Sequence, residues 1–219
     1  MATDITLNAS HSNSYMCENN AIYILSTFNL RNMGELIGHL GNTVHSFKPM
    51  PQWDTSTVIK SPYDISNIKN PIIDVFIDSC GGEEHVLSNI MALLNIAKHR
   101  GAIIRTTVLS CAYSCGSMLA IQGTPGFRIM SHTGEHLIHY GSAYANIESE
   151  EDITKKIKRI AKNKEKIQST YLAHTNMNTK QLKSFMNNEY GFLDAPKCLE
   201  MGLCDWIIGE NGILIGRTR

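Results

Sequence analysis

Ser114 stands in the stretch Ala112-Tyr113-Ser114-Cys115-Gly116-Ser117-Met118-Leu119, where an apolar β-type run from Ile103 to Leu109 gives way to a helix-compatible run ending at Gly123. A hydroxyl at such a junction is held out of the packed layers, and the first amides of the following helix have no partner inside it. That combination suits acyl transfer, with Cys115 N–H first in line to meet the oxyanion of a tetrahedral intermediate. Serine is hardly nucleophilic at neutral pH and needs a base; histidine is the side chain that accepts and returns a proton there. Nine histidines compete for the role. Two of them follow in Glu135-His136-Leu137-Ile138-His139-Tyr140-Gly141. In a strand, positions three apart face opposite sides, so only one of His136 and His139 can enter a cleft. His132 and His136 are not read as a metal pair, because Gly134 between them marks a turn.

These side chains need elements to position them. Ala21 to Ser26 reads as a first strand, followed by an amphipathic helix through Leu30, Met33, Ile37 and Leu40 that Gly41 is expected to end. Residues 41–69 carry three prolines and no sustained period, so they read as a long irregular insertion with at most an extended piece at Ser56 to Lys60. Beyond it the pattern alternates: strand 72–78, helix 84–99, strand 103–109, helix 115–122, then short strands at 127–131 and 136–140. Such alternation with β-branched strands implies an α/β fold built on a largely parallel sheet. From Ile147 to about Ala173 lies a helix with an apolar seam at Ile153, Ile157, Ile160, Ile167 and Tyr171, interrupted by Lys164 and flanked by basic faces. Such a helix is either a solvated face or one that stands off the body and packs on a partner subunit. Asn178 or Thr179 caps a helix to Met186, and Ala195 to Met201 forms a short one before the strand Trp206 to Ile208.

The strand Ile72 to Asp78 running into Ser79-Cys80-Gly81-Gly82-Glu83-Glu84, the Ser114 segment, and His139 at its interval behind it together resemble the ClpP family. These are the proteolytic subunits of the ATP-dependent Clp protease, which are self-compartmentalised serine peptidases. The resemblance runs from roughly Ala21 to Ile208 and is firm from Asp74 to Asp205. It implies the ClpP/crotonase-like ββα superhelix, a head domain with a protruding handle helix at approximately 142–175. A single peptidase domain is expected over 21–219, behind a disordered tail or pro-segment at 1–20. The family interval selects His139 as the base. Gly82 N–H is implied as the second oxyanion donor, where glycine lets the backbone turn sharply and approach the substrate. The acid is the departure from the pattern. In the matching stretch, Asn187-Asn188-Glu189-Tyr190-Gly191-Phe192-Leu193-Asp194, the family aspartate aligns with Tyr190. Glu189 is taken as the acid for its longer reach, with Asn188 and Asp194 as alternatives.

The resemblance further implies unfolded polypeptide substrates bound in extended form along Gly81 to Glu84. It also implies a homo-oligomeric ring, heptameric and able to stack as a double ring, and an AAA+ unfoldase that feeds it. The displaced acid keeps a second reading open, a catalytically inactive ring subunit with an assembly role. A crotonase-type acyl-CoA enzyme shares the fold but has no need of a serine and a histidine at this spacing.

Composition sets the outer bounds. At 219 residues and 42% apolar, the chain can bury one sizeable core. Lys plus Arg and Asp plus Glu balance at 20 each, which leaves no electrostatic footprint for nucleic acid or an anionic membrane. No apolar run approaches the roughly 18 residues of a membrane span, and residues 1–20 lack the blocks of a secretory signal, so a cytoplasmic setting is expected. Six cysteines without a CxxC pair suit reduced, buried thiols. No Walker A motif is present and no cofactor is expected.

Overall fold

A computed structural model describes residues 15–18, 20–141, 150–187 and 191–216. The centre of the architecture is β4 (Ile103–Tyr113), whose first half is buried on both faces. On one side it pairs in parallel with β3 (Ile72–Ser79), then β2 (Ala21–Ile24), with β1 (Tyr15–Glu18) antiparallel at the edge. On the other side β4 serves two neighbours in turn. Thr106 to Val108 pair with β5 (Arg128–Ser131), which leads to β8 (Trp206–Ile208) and β9 (Leu214–Gly216). Cys111 to Tyr113 pair with β6 (Glu135–Leu137), which leads to β7 (Phe192–Asp194). The sheet therefore forks along β4.

A bulge lies at the fork. Ile77 pairs with Val108 and Ser79 with Ala112, so Leu109, Ser110 and Cys111 together face Asp78 alone. The Asp78 carboxylate fills the gap, accepting from Cys111 N–H at 3.1 Å and from its thiol at 3.2 Å. Extra residues in one strand bend it and increase its twist. Here the bend carries the end of β4 out of register with β5 and onto β6.

α1 (Leu30–Ser46) buries Met33, Leu36, Leu40 and Val44 and packs with α2 (Glu84–His99). It runs past Gly41, the expected stop, because Val44 continues the buried stripe. The remaining helices are α3 (Cys115–Ala120), α4 (Glu150–His174), α5 (Thr179–Met186) and α6 (Ala195–Met201). Asn178 caps α5 through a reciprocal pair with Gln181, and Asp194 caps α6 by accepting from Lys197 N–H at 2.9 Å.

α4 covers most of the stretch 142–175 expected as a handle, of which 142–149 lie outside the described residues. Ile153, Ile157 and Ile160 in its first half are exposed, whereas Ile167 and Tyr171 are buried. Its C-terminus is clamped by Arg128, which is 7% exposed. That guanidinium donates to His174 O at 2.5 Å, to Gly202 O at 2.8 Å and to both oxygens of Asp205. A cation at the end of a helix also meets the negative pole of its dipole.

Two further expectations are corrected. β1 falls within the stretch 1–20 read as a tail, pairing Tyr15 to Glu18 with Ala21 to Ile24. The insertion, read as irregular from residue 41, is helical up to Ser46 as the end of α1; beyond that it holds no strand at Ser56 to Lys60, within the reading of at most an extended piece. It lies against the beginning of β4: Arg105 donates to Pro62 O at 2.9 Å and sits over the Tyr63 ring, Asn70 donates to Gly101 O at 2.6 Å, and Trp53 meets Phe127 edge-on.

Candidate active site

Ser114 follows the last residue of β4 and precedes the first of α3. With φ 54° and ψ −115°, it is the only non-glycine residue at positive φ among the described residues. Such a backbone costs about 1–3 kcal/mol and persists only where the surroundings impose it. Ser114 N–H donates to Leu137 O at 2.9 Å, and its carbonyl accepts from Met118 N–H at 3.1 Å. The bond to Leu137 joins the Ser114 backbone to the end of β6, two residues before His139.

The Gly81-Gly82 turn closes over the same point. A Cβ on Gly81, at φ 98°, would stand 2.7 Å from Ser114 Cβ. A Cβ on Gly82, at φ 141°, would stand 2.3 Å from Phe28 O. Phe28 fixes the turn from behind: its N–H donates to Gly81 O at 2.7 Å and its carbonyl accepts from Glu83 N–H at 2.8 Å. In that parallel bridge Gly82 contributes neither its own N–H nor its own carbonyl. The Gly82 carbonyl instead accepts from the Cys115 thiol at 3.1 Å. Burial, with Glu84 nearby, pushes that thiol up to about 11, so Cys115 is protonated and is no rival nucleophile.

Ser114, Cys115, Gly82 and His139 line one cleft of about 740 Å³. Burial lowers the His139 imidazole below the usual histidine range and favours the neutral form that a base requires. Among the described residues no hydrogen bond joins Ser114 to His139. His139 does not lie in a strand, as expected, but in the loop after β6, which ends at Leu137. His136 is turned the other way. It is fully buried, its Nδ1 lies 2.9 Å from Ser117 Oγ, and Tyr171 donates to the same oxygen at 2.9 Å. Burial, reinforced by Arg128, pushes His136 down to about 3, which holds it neutral inside the core.

Of the residues weighed as the acid, Glu189 and Asn188 lie outside the described residues. Asp194 is engaged as the cap of α6 and pairs with Glu135, at the start of β6 and so at the end of that pair away from His139. Gly191 O accepts from Ile138 N–H at 3.2 Å, and a Cβ on Gly191 would stand 2.5 Å from Ile138 O. Among the described residues no group of three or more His, Cys, Asp and Glu could hold a metal ion. No described helix is long and apolar enough to cross a membrane.

The remaining walls were not evident in the sequence. Thr27 to Asn29 come from the loop after β2, and Ile160, Asn163, Lys164 and Ile167 come from α4. The interrupted seam was the only hint that α4 faces a cleft here. No residue of 41–69 reaches the cleft. Of the thiols, Cys115, Cys198 and Cys204 are buried as expected, whereas Cys80 is exposed and Cys111 half-buried; all five are free.

Comparison with known proteins gives the same direction. The family model for Clp protease matches residues 63–211. An ATP-dependent Clp protease proteolytic subunit of Deinococcus radiodurans is 26% identical over 139 residues, covering 64% of this chain and 66% of the relative. Proteolytic subunit 1 of Nocardia farcinica is 25% identical over 140 residues, covering 64% and 68%. The proteolytic subunit of Lactococcus lactis subsp. cremoris is 24% identical over 142 residues, covering 64% and 69%. The chain thus spans about two thirds of the length of the curated relatives it matches. Identity is low, but the family match takes in most of the chain, from the foot of the insertion through Ser114 and His139 to β8. The chain belongs to the Clp protease family.

Proposed function

We propose that the chain is a serine endopeptidase that hydrolyses peptide bonds of unfolded proteins through an acyl-enzyme. One observation carries the reading: a serine held at positive φ at a helix mouth shares a cleft with the Gly82 turn and with a histidine whose burial favours its neutral form. In the proposed reaction, neutral His139 takes the Ser114 hydroxyl proton as Oγ attacks the scissile carbonyl. Cys115 N–H and Gly82 N–H donate to the resulting oxyanion. The imidazolium then returns the proton to the departing amine, and water, deprotonated by the same imidazole, hydrolyses the ester. Glu189 is the proposed acid; Gly191, two residues after it, is bonded to the residue before His139.

We place this activity in a homo-oligomeric ring, heptameric and able to stack, fed by an AAA+ unfoldase and working in the cytoplasm. Exposed isoleucines on α4 support the ring, and free thiols fit a reducing compartment. Residues 21–219 are taken as one peptidase domain with β1 added at its edge.

A second reading, an inactive ring subunit, is favoured by the missing bond between Ser114 and His139. That bond is often long before substrate arrives, so its absence does not decide the matter. Labelling with a fluorophosphonate probe does. The active reading expects stoichiometric modification at Ser114 that disappears in Ser114→Ala; a protein that stays unlabelled is the inert subunit.

A further inference from the structure

The apolar seam of α4 breaks at Lys164, where the helix passes over the cleft. The other charged side chains that line the cleft are already engaged. Glu84 accepts from Lys166 Nζ at 3.1 Å and from Asn163 Nδ2 at 3.2 Å. Glu83 turns to His85, 3.3 Å away. Lys164 has no carboxylate among the described residues; its ammonium lies 5.0 Å from the centroid of the Tyr140 ring. A cation over an aromatic face is attracted by the ring quadrupole, which positions it without neutralising it. Tyr140 follows His139 directly, and its hydroxyl is held by Gln168 Nε2. The ammonium is therefore stationed beside the proposed base, while Met118 and Ile167, both buried, form apolar surface in the same cleft.

We infer that Lys164 makes the cleft selective for peptides bearing a carboxylate side chain, glutamate above all, next to the scissile bond. This rests on the peptidase reading above. Glutamate fits both surfaces: its methylenes lie against buried Met118 and Ile167, and its carboxylate meets the exposed ammonium of Lys164 at the rim of the cleft. A purely apolar side chain leaves Lys164 unpaired, and a basic one meets it with like charge.

The test compares kcat/KM for fluorogenic tetrapeptides that are identical except for Glu or Gln before the cleaved bond, a pair matched in shape. An exposed ion pair is worth up to about fivefold, so the expected ratio of Glu to Gln is about 2 to 5 at low salt, falling as ionic strength rises. Lys164→Met and Lys164→Gln bring the ratio to about 1, and Lys164→Glu inverts it. Lys162→Met, on an exposed face of the same helix, leaves it unchanged. A ratio near 1 in the native protein, or one that survives Lys164→Met, overturns the inference. If neither peptide is cleaved and the fluorophosphonate fails to label Ser114, the peptidase reading has failed. Anisotropy titration of the same two peptides into Ser114→Ala protein then still judges Lys164: equal affinities overturn the selectivity, and a Glu preference lost in Lys164→Met sustains it.

Discussion

Ser114 holds a backbone conformation that L-residues avoid, and it is held there by Leu137, Met118 and the Gly81 turn rather than by its own side chain. Its hydroxyl makes no capping bond to the first turn of α3, and the residue lines the cleft. His139 is tuned by burial alone, in the direction of an imidazole that stays neutral. A lowered pKa keeps the imidazole unprotonated to more acid pH. The rate of fluorophosphonate labelling should therefore fall to half its plateau below pH 6.5, the ordinary histidine value. A midpoint above that value would mean that a nearby carboxylate outweighs burial, and Glu189→Gln should then move it down.

At the scale of elements, α4 is positioned by buried polar ties. The chain of Tyr171, Ser117 and His136 joins it to α3 and β6, and Arg128 joins its last turn to Asp205 before β8. Asp205→Ala would leave the Arg128 guanidinium buried without its carboxylate, a loss of about 3–5 kcal/mol. Urea unfolding should show it as a lowered midpoint with little change in slope; a midpoint that does not move would mean the clamp is not needed. Most elements were legible because their periods are strong: β3, α2, the start of β4 and α6 lie where the apolar spacing puts them. β1, β7 and β9 were not legible. They are three or four residues long and are defined by the strands they pair with, not by their own pattern. Gly41 misled because its cost to the helix is small beside the burial of Val44 one turn later. That Ser114, Cys115, Gly82 and His139 share a cleft was legible from the strand-to-helix junction for the first two and from the family resemblance for the others. Phe28 and Lys164 were not, since their roles arise from contacts between segments far apart in sequence.

For the whole molecule, the exposed isoleucines on the first half of α4 are the feature a lone subunit explains least well. Ile157 is 61% exposed, with Ile153 and Ile160 on the same side of the helix. In the proposed ring this seam packs on another copy. Ile157→Glu would bury a charge in that contact, so light scattering should report smaller species than the native assembly at equal concentration; an unchanged mass would place the ring contacts elsewhere. The two ends of β4 meanwhile lead separate lives. The strip that follows α1 rests on the foot of the strand, against Arg105 and Gly101, while Ser114 sits at its tip beyond the bulge. A tag grafted at the exposed turn of residues 54–56 would accordingly load the foot of that strand, the end opposite Ser114.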